Sequence, residues 1–180
     1  EKVYEPIKSY NEFQCNWITE RMNESIEDYI NFIKTVKEKK YPVKVKFGLE
    51  VCYIPETADI LTDVLKKYDF DFLTGSVHWI DGWGFDHKGQ KETWESKNTE
   101  EIYKRYYEIM FQLCESNLFT GLAHPDSIKC FGYKPNVDLS DYYNKLALLL
   151  NKHNMYAENS GGLKLNYSSD NELGLNSKLL

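Results

Sequence analysis

Phe70-Asp-Phe-Leu73-Thr-Gly-Ser-Val77-His78 is the stretch that decides how the chain reads. A short apolar run, bounded by a polar and aromatic loop, has the length and composition of a buried strand. A histidine stands just past its end. The same arrangement recurs on both sides. Val43-Lys-Val-Lys-Phe47-Gly-Leu-Glu50-Val51 alternates as a strand does and carries Glu50 near its end. Leu118-Phe-Thr-Gly-Leu-Ala123 is a short strand followed by His124. Met155-Tyr-Ala157 is a fourth, followed by Glu158 and Asn159.

Amphipathic helical patterns separate these strands. Ser25-Ile-Glu-Asp28 resembles a capping box with Asp in place of Glu, and the helix behind it turns Tyr29, Ile30, Ile33 and Val36 to one face until Pro42 stops it. Pro55-Glu56 starts a helix through Ile60, Leu61, Val64 and Leu65. Thr99 opens another that carries Ile102, Tyr106, Ile109, Met110 and Leu113, and Asp138 or Ser140 caps one through Leu146, Leu149 and Leu150 that ends near Asn154. Trp79 to Asn98 reads as a long loop, of the kind that is usually functional or mobile, Gly161 to Ser169 as loop, and Leu173 to Leu180 as the opening of a further helix. Strands and helices alternate throughout, so the expected fold is α/β: most of a βα barrel, with units missing at both ends. Residues 1–180 are read as one partial domain.

Composition narrows the function. A chain of 180 residues that is 42% hydrophobic and 28% charged can bury a core without disulfides. Cys15, Cys52, Cys114 and Cys130 lack the close spacing of a zinc site. They are expected as free thiols in a reducing, cytoplasmic setting, with Cys52 and Cys130 acting as small buried hydrophobes. A net charge of −6, with no long basic run, argues against a nucleic-acid partner. The longest apolar run, Leu146 to Leu150, is too short to cross a bilayer, so no membrane association is expected. A small anionic substrate would need a local positive centre, and a metal cluster supplies one.

In a parallel βα barrel every strand opens its carboxyl end on one face. Glu50, His78, His124 and Glu158 would therefore converge there. Leu49 and Val51 are apolar, so alternation points Glu50 to the opposite side, the barrel interior. Singly, the lesser reading of His78 is a hydrogen-bonded core histidine and that of His124 a turn histidine. Together with Glu50 they make the donor set of a hydrolytic divalent-metal centre. Such a centre lowers the pKa of water and withdraws charge from a phosphoryl oxygen. His87 and His153 are expected at the surface.

Four motifs now stand in order: Phe47-Gly-Leu-Glu50, Gly75-Ser-Val-His78-Trp-Ile-Asp81-Gly-Trp83, Gly121-Leu-Ala-His124-Pro-Asp126 and Glu158-Asn-Ser-Gly161. From about Lys44 onward the chain resembles the histidinol-phosphatase branch of the polymerase-and-histidinol-phosphatase (PHP) superfamily. That resemblance implies a distorted, TIM-like (β/α)7 barrel with two or three divalent ions, zinc, manganese or iron. It implies hydrolysis of L-histidinol phosphate to L-histidinol and phosphate in histidine biosynthesis, with the same chemistry on another small phosphate ester as the alternative. Carried onto this sequence, it makes Glu50 a carboxylate bridging metals and His78 and His124 metal-binding imidazoles. It places Lys129 near the phosphate, Asp81, Trp83 and Asn159 along the substrate pocket, and Asp126 and Glu158 behind the ligands. Trp79, Trp83 and Phe85 form either an aromatic wall for an imidazole-bearing substrate or packing over the barrel rim. The family's His-x-His pair, a further early histidine and a late Asp-x-His do not occur within these residues. The chain starts at Glu1 and is read as a fragment lacking terminal units, with an inactive homologue as the alternative. On its own it is expected to bind metals poorly.

Overall fold

The computed structural model describes residues 2–167 and 174–179. A 3-10 turn at Lys2–Tyr4 leads into α1 (Glu5–Lys8) and α2 (Glu12–Arg21), followed by α3 (Ile26–Lys37) and β1 (Gly48–Cys52). A second 3-10 turn precedes α4 (Ala58–Leu65) and β2 (Phe72–Ser76). A hairpin of β3 (Trp79–Ile80) and β4 (Trp83–Gly84), a 3-10 segment at Lys88–Ser96 and α5 (Thr99–Glu115) come next. The chain then forms β5 (Gly121–Leu122), α6 (Ser140–Lys152), β6 (Tyr156–Ala157) and α7 (Gly162–Asn166). Among the described residues no helix is long and apolar enough to cross a membrane.

Four strands form one parallel sheet in the order β1-β2-β5-β6, which is also their order along the chain. Strands that follow one another both in sequence and in space, with helices between them, are the layout of successive βα units. Register fixes the two faces. Glu50 lies opposite Thr74, Thr74 opposite Gly121, and Gly121 opposite Tyr156. These residues share one face, where Glu50 and Tyr156 are exposed and the Thr74 and Tyr156 hydroxyls bond each other. Val51, Leu73 and Leu122 lie on the other face and join the main core with Leu61, Leu65, Ile109, Met110, Leu113, Leu146 and Leu149. The helices α4, α5 and α6 thus cover one side, and the polar side chains occupy the other. A Cβ on Gly75 would lie 2.8 Å from the Leu113 side chain, so glycine there is what lets α5 approach β2.

Most helices start where the sequence places them. Ser25 Oγ accepts a 3.0 Å bond from the Asp28 amide and caps α3. Asn98 caps α5 by accepting from Glu100 and Glu101, and Asp138 accepts from Ser140 at the head of α6.

Other expectations are corrected. The first strand begins at Gly48 rather than Val43, and Val43 and Val45 are 67% and 39% exposed. Pairing with β2 starts only at Phe72, so the alternating residues before Phe47 have no neighbour to pair with. The stretch read as one loop from Trp79 contains the β3–β4 hairpin. Asp81 and Gly82, both at positive φ (49° and 82°), make its two-residue turn. Within the tail read as loop, 162–166 form α7, while Ser168 and Ser169 lie outside the described residues. The further helix does not form over 174–179, which is bends and turns; positions 173 and 180 lie outside the described residues. Backbone groups there bond side chains instead of a helical ladder: the Gly174 carbonyl takes Lys129, and the amides of Leu175 and Asn176 bond Asn159 and Asp126.

Helices α1 and α2 form a smaller layer around Ile7, Ile18, Ile54 and Trp79. Buried Gln14 ties it to the hairpin. Its amide donates to the carbonyls of Ile7 (3.1 Å) and Gly82 (2.6 Å), and its oxygen accepts from the Gly84 amide (3.0 Å).

Candidate metal centre

Glu50 projects from β1 on the polar face of the sheet. His78 follows β2 and His124 follows β5, whereas Glu50 stands at the middle of β1 rather than near its end as expected; neighbouring strands of the sheet thus deliver all three. His78 Nε2 lies 3.4 Å from Glu50 Oε1, and His124 Nε2 lies 3.2 Å from the same oxygen. The two imidazole centroids are 4.9 Å apart, and one donor atom from each of the three residues lies within 4.8 Å of the others.

His78 is held by Asp86, whose Oδ2 lies 2.6 Å from Nδ1. A proton on Nδ1 leaves the Nε2 lone pair directed at the centre, the orientation a metal-binding imidazole needs. His124 is held through its backbone. Its φ is +28°, a conformation non-glycine residues seldom adopt, and Glu158 Oε2 accepts its amide at 3.0 Å. The His124 Nδ1 is buried with no hydrogen-bond partner among the described residues.

The electrostatics favour a cation between these atoms. Hydrogen bonds from His124 and then His78 hold the Glu50 carboxyl well below the usual carboxylate range. Burial works against charge on His78, yet its bonds to Asp86 and Glu50 outweigh that and raise its pKa well above 6.5. The carboxylates of Glu50 and Asp86 flank His78 on both ring nitrogens, so negative charge gathers where two imidazole nitrogens and a carboxylate oxygen meet. One Glu and two His form a donor set that could hold a metal ion. The residues present therefore fit a divalent ion. Burial pushes the Cys52 thiol up, so it stays protonated near neutral pH; Cys130 is fully buried.

The remaining expected site residues fall into two groups. Glu158 stays with the triad through the His124 amide. Asp126 sits at 3% exposure behind His124, where its Oδ2 meets Lys129 Nζ at 2.6 Å and the Asn176 amide at 2.9 Å. Lys129 is itself 5% exposed and donates to the Gly174 carbonyl at 2.8 Å, so it pins the C-terminal segment rather than facing a phosphate. Asn159 serves the same segment through the Leu175 amide (2.9 Å). Asp81 is drawn away by a two-pronged ion pair with Arg105 of α5, at 2.9 Å and 2.7 Å. Trp83 is 2% exposed and packs on Trp94, its indole N–H held by Thr93. Phe85 is fully buried as well, which leaves Trp79 as the member of that aromatic trio lining open space.

Asp86 escaped the sequence reading because it meets His78 only once the hairpin folds back. The Asp81-Gly82 turn between apolar pairs was the signal that could have found that hairpin. Arg105 and Gln14 carried no sequence signal of their own.

A probable histidinol-phosphatase of Deinococcus radiodurans is 32% identical over 111 residues, covering 61% of this chain and 43% of that protein. A probable histidinol-phosphatase of Schizosaccharomyces pombe is 23% identical over 152 residues, covering 80% of this chain and 49% of that protein. The chain thus spans about half the length, or less, of these curated relatives. The PHP domain family matches residues 10–160, a span that takes in α2 and α3 and begins well before Lys44. With most of its length matched, the chain belongs to the PHP domain family.

Proposed function

We propose that this chain is part of a metal-dependent phosphomonoester hydrolase acting on L-histidinol phosphate, with Glu50, His78 and His124 among its metal ligands. The observation that carries the reading is the meeting of two imidazole nitrogens on one carboxylate oxygen at 3.2 Å and 3.4 Å. Both curated relatives bear the name of that activity. The four parallel strands, open on their polar face and covered by helices on the other, are read as part of a distorted seven-stranded barrel whose interior that polar face would line. Two or three ions fit the family pattern, and these three residues serve at least one of them.

When bound, the ion would lower the pKa of a water molecule and draw charge from the phosphoryl oxygens. The chain's own residues do the rest. Asp86 keeps the His78 lone pair aimed at the centre, and Glu158 keeps the strained His124 in place. In the overall reaction the water oxygen bonds to phosphorus, the ester P–O bond breaks, and the alcohol leaves with a proton. The substrate is thus a small phosphorylated molecule, and the acidic net charge suits neither nucleic acid nor an anionic membrane.

Phosphate release by the full-length protein, supplied in turn with manganese, iron and zinc, tests the reading. Histidinol phosphate should be preferred over unrelated phosphomonoesters. Equal rates on many esters would overturn the named substrate, and no release from any would overturn the hydrolase.

A further inference from the structure

A cavity of about 300 Å³ lies between the first turns of α5 and α6 and the C-terminal segment 174–179. None of Glu50, His78 and His124 lines it. Its size is at the lower end of the about 300–1,000 Å³ common for small-molecule sites. Three lysines, Lys129, Lys134 and Lys178, line it against one carboxylate, Asp126. The chain as a whole carries a net charge of −6, so this gathering of positive charge is local.

The three lysines are not equivalent. Lys129 lies 2.6 Å from Asp126 and both side chains are almost wholly buried, so that pair offers a ligand no net charge. Lys134 makes no ion pair among the described residues. Lys178 meets Asp138 at 3.4 Å, but the two side chains are 62% and 70% exposed, and water and salt weaken such a pair. Asp138 is also engaged at the head of α6, where its Oδ1 accepts from the Ser140 hydroxyl at 2.6 Å and the Ser140 amide at 3.1 Å. Lys134 and Lys178 therefore supply the charge open to a ligand. Neutral donors stand with them. Asn176 Oδ1 accepts the Lys178 amide at 2.9 Å, which leaves the Asn176 NH2 group as a donor, and Ser177 adds a hydroxyl.

We propose that this cavity is an anion site separate from the triad, and that it takes a small molecule bearing a phosphate group between the Lys134 and Lys178 ammonium groups. A phosphate group carries about −1.5 to −2 charge at neutral pH and offers three strong acceptor oxygens. Two ammonium groups with neutral donors beside them match both properties, whereas a single carboxylate would leave one ammonium unmatched. Val137 and Leu139 form an apolar edge against which the carbon part of an ester would lie. Lys129 holds the floor of the cavity through Asp126 and the Gly174 carbonyl. Binding here needs no metal, so the site stands or falls apart from the phosphatase reading.

The test titrates metal-free full-length protein with inorganic phosphate and, separately, with glycerol phosphate, followed by amide NMR. Chloride at matched ionic strength is the control. The amides of Asn176, Ser177 and Lys178 should shift and saturate with a phosphate compound. Lys134→Gln combined with Lys178→Gln should weaken that binding about tenfold or more. Lys66→Gln combined with Lys67→Gln removes the same charge just past α4 and should leave binding unchanged. Asp138→Asn keeps a capping side chain but removes the carboxylate that competes for Lys178, and should tighten binding about two- to fivefold. Tighter binding of glycerol phosphate assigns the site to an ester, and tighter binding of inorganic phosphate assigns it to the free ion. Absence of saturating shifts at 176–178, the same shifts with chloride, or an equal loss in both lysine pairs overturns the site.

Discussion

Replacing Lys129 with Met separates a structural role from a phosphate-binding one. The Lys129 ammonium is 2.6 Å from Asp126 Oδ2 and 2.8 Å from the Gly174 carbonyl, and the two side chains of the ion pair are only 6% and 4% exposed. Methionine keeps the apolar stem and removes the charge. The Asp126 carboxylate then stays in its low-exposure site without the ammonium, although the Asn176 amide still bonds it. Removing one partner of a buried ion pair costs about 3–5 kcal/mol. With a urea slope of about 2 kcal/mol/M, the unfolding midpoint should fall by about 1.5–2.5 M. Adding Asp126→Asn removes the carboxylate charge that faced the ammonium, so the double variant should recover part of that loss. Amide exchange at Leu175 and Asn176 should speed up in the single variant, because Gly174 has lost its anchor. Urea titrations of the intact protein give the midpoints. An unchanged midpoint for Lys129→Met, together with a raised KM for phosphate esters, would refute the structural assignment and return Lys129 to the phosphate.

Three more outcomes follow from the geometry. Asp86→Asn removes the carboxylate that orients His78 and should weaken divalent-metal affinity about 10- to 100-fold in chelator competition, since partners of ligating histidines typically contribute that much; an unchanged affinity would show that His78 needs no such partner. Gly75→Ala sets a Cβ 2.8 Å from Leu113 and should destabilise the protein by about 1–3 kcal/mol in thermal or urea unfolding, with no change expected only if α5 can shift freely. The Cys114 thiol is pushed by burial from its usual 9.0 up to about 12, so the fold favours its neutral form. Its contribution to stability is complete below pH 9.0 and is lost as pH rises towards 12. Thiol reagents at pH 8 should accordingly modify half-buried Cys15 well before Cys114, as mass spectrometry would show.

The parts of this fold written locally were legible. A cap such as Ser25 is a short-range hydrogen bond, and the apolar period of α5 follows from one helix meeting one core. The positions of His78 and His124 just past β2 and β5 were legible for a similar reason: a strand boundary and the residue after it are neighbours in sequence, whereas Glu50, expected near a strand's end, stands at the middle of β1. What escaped depends on distant pairings. The alternation from Val43 reads as strand, but ladder bonds need a neighbour, and β2 supplies one only from Phe72. Lys129 and Trp83 carry types suited to binding, and their burial is set by Gly174 and Trp94, which come together with them only in the folded molecule. Arg105 captures Asp81 across the hairpin in the same way.

The most direct measurement is anomalous diffraction at the manganese or zinc edge from crystals of the full-length protein grown with that metal. A peak within about 2.0–2.3 Å of Glu50 Oε1 and the Nε2 atoms of His78 and His124 is the expected result. An ion held entirely by other residues, with these three side chains turned apart, would contradict it.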